Sequence, residues 1–498
     1  VAWLARLRGR REERRERRGA RLAYDAASRG RLVAGFSPGS RGPIRETDSA
    51  IVLTRDRARD LARNNPFAAR ILDQLVGDLI GTGVMPQIVA RDRAGRVVTG
   101  EGDRAEDVHA EWAAQCVSGS HLHLGGQQGL VVRCMAEAGE ALVRRRPRLP
   151  EDGMAIPLQV EGLEPDYLDA LKNEQLANRG RIIQGVQFSP WGKIEGYWLH
   201  QEHPSESWPI SASLSSLFVP AADVAHVFEA LRLGQVRGIS WLHAVAIALR
   251  DLDDFHLAER IRKKGEAAIT AFVQVDDEES EALFGQLVTD SDPAAEDTRP
   301  YLAHDVHGLP TETVTPGAIV FAHGGKQVVL NHPTPVAGME EYERIALRSI
   351  AVGARITYEA LSGDLSQVNW SSYRAGRITY QRGIRMLRET VIAPLLLAPV
   401  FGWFVAAAQV ASRLRSDLVY VPDWTFPAFE SVNRLDDIRA DMLEREARLN
   451  SRQRQLRERA RDPETITREI EEDEADLRAR GLLAAQSGSA VSMRRDVR

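Results

Sequence analysis

Two stretches of helical periodicity, separated by one without it, limit most sharply how this chain can fold. Trp241 to Phe272 sets Leu242, Val245, Leu249, Leu252, Phe255 and Leu257 along one side, which predicts a helix of about 30 residues. Met339 to Tyr358, with Tyr342, Ile345, Ile350 and Ala354 near one face, predicts another. Residues 273–337 between them are acidic, turn-rich and strand-like. Helix, insert and helix in that order describe a protruding hairpin with a tip.

The rest of the chain supplies the body. Residues 1–50 read as an arm, because Arg-rich sequence from Arg6 to Arg21 runs into Ser37-Pro38-Gly39-Ser40-Arg41-Gly42-Pro43 with too few apolar residues for a core. Thr54 is the expected N-cap of a first helix, which Asn64-Asn65-Pro66 interrupts. A second helix, from Pro66 to about Leu79, is expected to bury Phe67, Ile71, Leu72, Leu75 and Val76 before Gly81-Thr82-Gly83 stops it. Residues 84–230 read as mixed helix and strand, with β-rich runs at Ile182–Phe188 and Lys193–Leu199. Leu361 to Trp370 breaks helical periodicity, which returns from Ser371 to Ala393. Between Arg434 and Arg480, 26 of 47 residues are charged, and the seam of Leu435, Met442, Leu449 and Leu456 is too thin for a two-stranded coiled coil. A solvated helix docked on a neighbour is expected there, with residues 484–498 loose.

Composition narrows the function. With 65 Lys+Arg against 70 Asp+Glu and a net charge of −5, the chain lacks the excess of positive charge that coats DNA. Two cysteines cannot staple 498 residues and point to a reducing compartment. Val391 to Ala411 carries no charge and is long enough to cross a bilayer, which takes about 20 residues. Pro394, Pro399, Gly402 and Gln409 interrupt it, and lipid cannot replace the hydrogen bonds that prolines remove. A buried, Pro-kinked core segment is expected instead, without membrane association.

Catalytic signals are weak. Gly35-Phe36-Ser37-Pro38-Gly39 has the spacing of a nucleophile elbow, but Pro38 lacks the N–H that would stabilise an oxyanion. Gly324-Gly325-Lys326 suggests a phosphate loop, yet Val320 and Gln327 stand where Gly and Ser/Thr are needed. Cys116, His121, His123 and Cys134 fit no common zinc spacing, and His304, Asp305 and His307 are no better. His200 and His203 lie three apart rather than four. Glu137 and Glu140, with no partner visible, read as ordinary carboxylates. No catalytic residue, metal site or cofactor is expected.

A series of ordered blocks is more informative. They are Arg57-Ala-Arg-Asp-Leu-Ala-Arg-Asn-Asn-Pro66 with Val76-Gly-Asp-Leu-Ile-Gly-Thr-Gly83, then Gly139-Glu140, and Gly185-Val-Gln-Phe-Ser-Pro-Trp-Gly192 leading to Tyr197. His226 then precedes Gly234-Gln-Val-Arg-Gly238, and Leu361-Ser-Gly-Asp-Leu-Ser-Gln-Val-Asn-Trp-Ser-Ser-Tyr-Arg374 and Pro422-Asp-Trp-Thr-Phe-Pro427 follow. Together they resemble the lambda family of tailed-phage portal proteins over about residues 55–430. Ala138, where Asp is common, and Trp370, where Tyr is common, depart from the pattern.

The resemblance implies an α+β subunit of a ring oligomer, usually of twelve copies, at a capsid vertex of the virion, after synthesis in the host cytoplasm. It implies an N-terminal arm (1–54), an α/β wing (55–240), stem helices (241–272 and 338–358), a small β-containing clip (273–337), a tunnel loop (359–372), a spine helix (373–400), a helical crown (401–480) and a tail (481–498). Double-stranded DNA would pass the tunnel residues Leu361, Ser362, Gly363, Asp364, Leu365, Ser366 and Gln367. The clip residues Asp276, Asp277, Glu278 and Glu279 would dock the terminase large subunit and later the head-completion proteins. Major capsid and scaffold proteins are implied as further partners. The readings that compete with this one are a soluble hydrolase using Ser37 and a membrane-associated oligomeric scaffold.

Overall fold

The computed structural model describes residues 39–206, 215–274, 302–304, 310–312, 318–322, 338–366, 368–429, 433–459, 461 and 463–480. Helices α1 (Pro43–Asn64) and α2 (Pro66–Leu79) meet at a single extended residue, Asn65. Its side-chain oxygen accepts the N–H groups of Phe67 and Ala68, each at 3.0 Å, and Pro66 follows where a missing N–H costs nothing. The break expected from Asn64-Asn65-Pro66 is therefore a helix cap. The expected N-cap, Thr54, lies inside α1, where its hydroxyl donates to the carbonyl of Ala50 at 2.7 Å. Residues 43–50 belong to the body rather than an arm, because Thr47 and Ile51 are buried. The inward stripe of α1 is Thr47, Ile51, Arg55 and Ala58, and its polar members hid it from a count of apolar residues.

Strand β1 (Met85–Arg91), helices α3 (Glu101–Ala113) and α4 (Leu124–Ala138), and strands β2 (Glu140–Pro147) and β3 (Leu158–Leu163) follow. Next come β4 (Glu174–Gln175), β5 (Arg181–Ile183), β6 (Val186–Phe188), β7 (Ile194–His200), β8 (Ser216–Pro220) and β9 (Val224–Phe228). β4 to β8 form an antiparallel meander in sequence order, and β2 lies between β3 and β9 in a second antiparallel sheet. The second sheet buries both faces, with Leu142, Leu163 and Val224 on one and Ala141, Val143, Val160 and Val227 on the other. Leu142, Leu168, Tyr197 and Val219 make a small core beside the meander, while α2, α4 and the inner face of β2 share the main one.

Trp241 to Phe272 is not one helix. A short 3₁₀ turn at Trp241–Ala244 leads into α5 (Ala246–Ala268), and at Ile269 the chain turns into β10 (Ile269–Gln274), where β-branched Ile269, Thr270 and Val273 favour strand. β11 (Leu302–His304) pairs with β12 (Pro310–Glu312), and β10 pairs in parallel with β13 (Ala318–Ala322). The return helix is α6 (Met339–Gly353), and it packs against α5 through Phe255 and Tyr342, whose ring centroids lie 4.9 Å apart. Ile247 (69% exposed), Ile261 (61%), Ile345 (59%) and Val352 (80%) are left uncovered on this pair.

α7 (Tyr358–Ser362) and α8 (Trp370–Leu387) follow. α8 passes through a wide helical stretch (Arg388–Leu397) into α9 (Ala398–Val410). Pro394 sits in that stretch, where the wider i→i+5 turns accommodate its missing N–H. Tyr373–Val410 is long and apolar enough to span a membrane, but Ile392, Leu396, Phe404 and Ala408 lie in the main core. The charge-free run is thus explained by packing. β14 (Val419–Thr425) then pairs antiparallel with β1, from Arg91 opposite Val419 to Met85 opposite Thr425. Helices α10 (Arg434–Glu446), α11 (Arg452–Glu458) and α12 (Pro463–Ala479) complete the described chain.

Candidate functional site

The chemically densest part of the body is built on Glu140, the first residue of β2, which is completely buried. Arg237, equally buried, donates from Nε to its two oxygens at 2.8 and 3.0 Å. The Gly238 N–H donates to Oε2 at 3.0 Å, and His226 Nε2 lies 2.9 Å from the same oxygen. Arg55 from α1 approaches Oε1 to 3.5 Å and pairs with Asp166 at 3.1 Å. Burial pushes the Glu140 carboxyl up, but the Arg237 guanidinium and the His226 hydrogen bond outweigh it and hold the group well below the usual carboxylate range. Glu140, expected to be an ordinary carboxylate like Glu137, is instead the anchor of four separate segments. The clue in the sequence is its position at the head of the apolar run Ala141-Leu142-Val143, which leaves a charge no route to water.

The glycines beside these charges have a packing role. Gly139 adopts φ 97°, and a Cβ on Gly238 would lie 2.0 Å from the Gly139 carbonyl oxygen. Only glycines allow the two motif segments to approach closely enough for Arg237 to reach Glu140. Ala138, the departure from the family pattern, is buried at 2%. An aspartate there would add a second buried charge beside Glu140.

A neighbouring cluster holds Glu164, Asp166 and His203, whose ligand atoms all lie within 4.8 Å of one another. These donors suit a divalent cation, but Arg59 bonds to both carboxylates and Arg55 pairs with Asp166, so positive charge is already in place. Ser205 Oγ lies 2.7 Å from His203 Nδ1, yet that nitrogen also accepts the Ser205 N–H at 3.3 Å, which makes the contact a local turn. The suspected zinc residues do not converge. Cys116 lies in the core, its thiol pushed up to about 12 by burial, and His123 caps α4 by accepting the Gly126 N–H at 3.2 Å.

The residues expected to form a tunnel loop have a defined local structure. α7 starts at a Thr357 cap and ends at Gly363, which takes φ 70°. Asp364 Oδ1 accepts the Ser366 N–H at 2.9 Å and its own N–H donates to Ser362 Oγ at 3.1 Å. Hydrogen bonds from Ser366, and then from the Tyr358 hydroxyl, hold the Asp364 carboxyl below the usual range. Leu361 does not join this group: at 4% exposure it is part of the main core, as the helical pattern of α7 dictates. Leu365 is 64% exposed and Ser366 is exposed. Gln367, the expected clip residues Asp276, Asp277, Glu278 and Glu279, and Ser37, Lys326, Asp305 and His307 lie outside the described residues.

Over residues 29–388 the chain matches the family described as phage portal protein, lambda family. It is 25% identical over 432 residues to a probable portal protein of Halomonas phage phiHAP-1, covering 84% of this chain and 79% of that one. Among solved structures it is similar to the neck of an empty gene transfer agent particle computed with C6 symmetry, at TM-score 0.41 and 15% identity, covering 87% of this chain and 98% of the other. A second neck structure, of the native particle with C12 symmetry, gives TM-score 0.39 and 14% identity over 86% and 97% of the two chains.

Proposed function

This chain belongs to the lambda family of phage portal proteins, and from that premise we propose that it joins copies of itself in a ring at one capsid vertex, through which double-stranded DNA is packaged and ejected. The observation that carries the ring is the α5–α6 hairpin. Ile247, Ile261, Ile345 and Val352 stay exposed on a pair of helices that buries Leu249, Leu252, Leu347 and Ile350 against the body. Identical hairpins standing side by side would cover these residues, as apolar helix faces require. On this reading α5 and α6 are stem helices, residues 273–337 are the clip that docks the terminase large subunit and head-completion proteins, and 401–480 contribute the crown. Capsid and scaffold proteins would meet the assembled ring. ATP hydrolysis belongs to the motor, and the portal acts as a conduit.

The hydrolase alternative rests on Ser37, and the membrane alternative on Val391–Ala411, whose Ile392, Leu396, Leu397, Phe401, Phe404 and Ala408 side chains lie in the core. Negative-stain imaging of the purified chain, with its native mass, tests the ring. Closed rings with an axial hole and a mass near a dozen subunits are expected. A persistent monomer at high concentration, with or without scaffold protein, would sink the reading.

The loop after α7 supplies a second prediction. Asp364 is the loop's acid, and Leu365 and Ser366 are exposed beside it, a surface that can touch phosphates without gripping them. Each cation that neutralises a phosphate adds affinity by releasing counterions. Asp364→Lys is therefore expected to leave ring assembly unchanged, to lower DNA packaging several-fold, and to make DNA retention by the ring salt-dependent. Unchanged packaging in a filling assay would remove Asp364 from the channel surface.

A further inference from the structure

An open groove of about 840 Å³ runs between α8 and the segment from β14 to α11. α8 contributes Arg374, Arg377 and Arg385 to its lining, and α11 contributes Arg454 and Arg457. Trp424, Phe426 and Phe429 add aromatic surface. Glu389, Asp423 and Asp437 oppose the arginines, and Asp423 is already paired with Arg457 at 3.3 Å. Arg388 is the most telling member. It is 7% exposed, donates to the Pro427 carbonyl at 2.9 Å and to that of Asp78, and lies over the rings of Phe426 and Phe429. Its Nε is buried without a hydrogen-bond partner among the described residues, an unmet donor in a lining already rich in positive charge.

The same chain carries the complement. α12 displays Glu469, Glu471, Glu472 and Asp473 on an exposed helix that packs within its own chain chiefly against α11, with Glu474 and Asp476 paired to Arg478 and Arg480 and the helix acidic on balance. Ile470 and Leu477 remain 39% and 37% exposed on it. We propose that the groove receives α12 from a second copy of the chain, with its carboxylates against the arginines and its apolar residues against the aromatic surface. Duplex DNA satisfies only half of this lining, because its bases are stacked inside and leave Trp424, Phe426 and Phe429 unmatched. A head-to-tail contact of this kind repeats around a closed ring, each groove filled by the next subunit's helix.

The inference rests on the ring reading, and crosslinking between co-expressed chains separates the two. One chain carries Arg385→Cys and the other Glu472→Cys. Burial raises both native thiols, Cys116 and Cys134, so neither competes under mild oxidation. A disulfide-linked pair of the 55.2 kDa chains is expected. Its yield should fall several-fold with Arg374→Glu on the first chain and recover with Glu469→Lys and Asp476→Lys on the second. These positions are exposed, so the substitutions leave the core intact. A monomeric native mass overturns the ring and this contact together. Rings without the linked pair, or a link formed only inside a chain carrying both cysteines, overturn this contact alone. So does binding of a fluorescent DNA duplex that Arg374→Glu abolishes while the linked pair is absent.

Discussion

Glu140→Gln is expected to destabilise the subunit by about 3–5 kcal/mol, measured by denaturant unfolding near neutral pH. The substitution keeps the shape of the side chain and removes the charge that neutralises Arg237, leaving that guanidinium completely buried. Gly238 and His226 lose a charged acceptor in the same step. Glu137→Gln, three residues earlier and half-buried, is the control and should stay within about 0.5 kcal/mol. Equal effects at the two positions would remove the hub from any account of stability. The pH dependence follows from the lowered carboxyl. Glu140 stabilises the fold fully above the unfolded carboxylate value of about 4.3, and this stabilisation is lost as pH falls below it through the folded value. Replacing Glu140 and Arg237 together by Leu should recover part of the loss, with Arg55 still facing the site.

His109 governs a different pH range. It is 4% exposed in the main core, edge-on to Phe404 with ring centroids 4.9 Å apart, and Trp112 and Phe401 stand close by. Burial pushes its pKa down to about 4. An unfolded histidine titrates near about 6.5, so between these values the unfolded chain takes up a proton that the folded chain refuses. Stability should therefore fall as pH drops from about 6.5 towards 4, by a total on the order of 3 kcal/mol. His109→Phe keeps an aromatic ring there and should flatten the slope over that interval while leaving the loss below about 4.3 that Glu140 causes. Unfolding curves collected from pH 7 to pH 4 would show it, and an unaltered slope in the variant would assign the effect elsewhere.

Much of the fold was legible because its signals are local. Asn65 followed by Pro66 makes a cap wherever the chain goes next, and the apolar spacing of α2 appears directly in Ile71, Leu72 and Leu75. The alternation of helix, strand-rich insert and helix likewise needs no tertiary information, although the switch at Ile269 shortened the first helix. The start of α1 was harder to see, because its buried stripe includes Thr47 and Arg55. Thr47 is satisfied by its own helix through the carbonyl of Ile44 at 2.9 Å, and Arg55 is paired in charge with the carboxylates of other segments.

Residues close together in the chain reveal that most of the helices exist, which segment is apolar enough to form the centre of the core, and the ordered blocks by which the family is recognised. Tertiary structure alone decided what the blocks are for. Glu140, His226, Arg237 and Arg55 are unremarkable polar residues at four distant positions until β2, β9 and α1 bring them together. Burial then turns ordinary ionisation into a lock, because a charge removed from water must find its counter-charge in whatever the fold places beside it. The arginine groove and the return of β14 onto β1 were hidden for the same reason: pairing between strands or charges far apart in sequence leaves no periodicity along the chain for a reader to find.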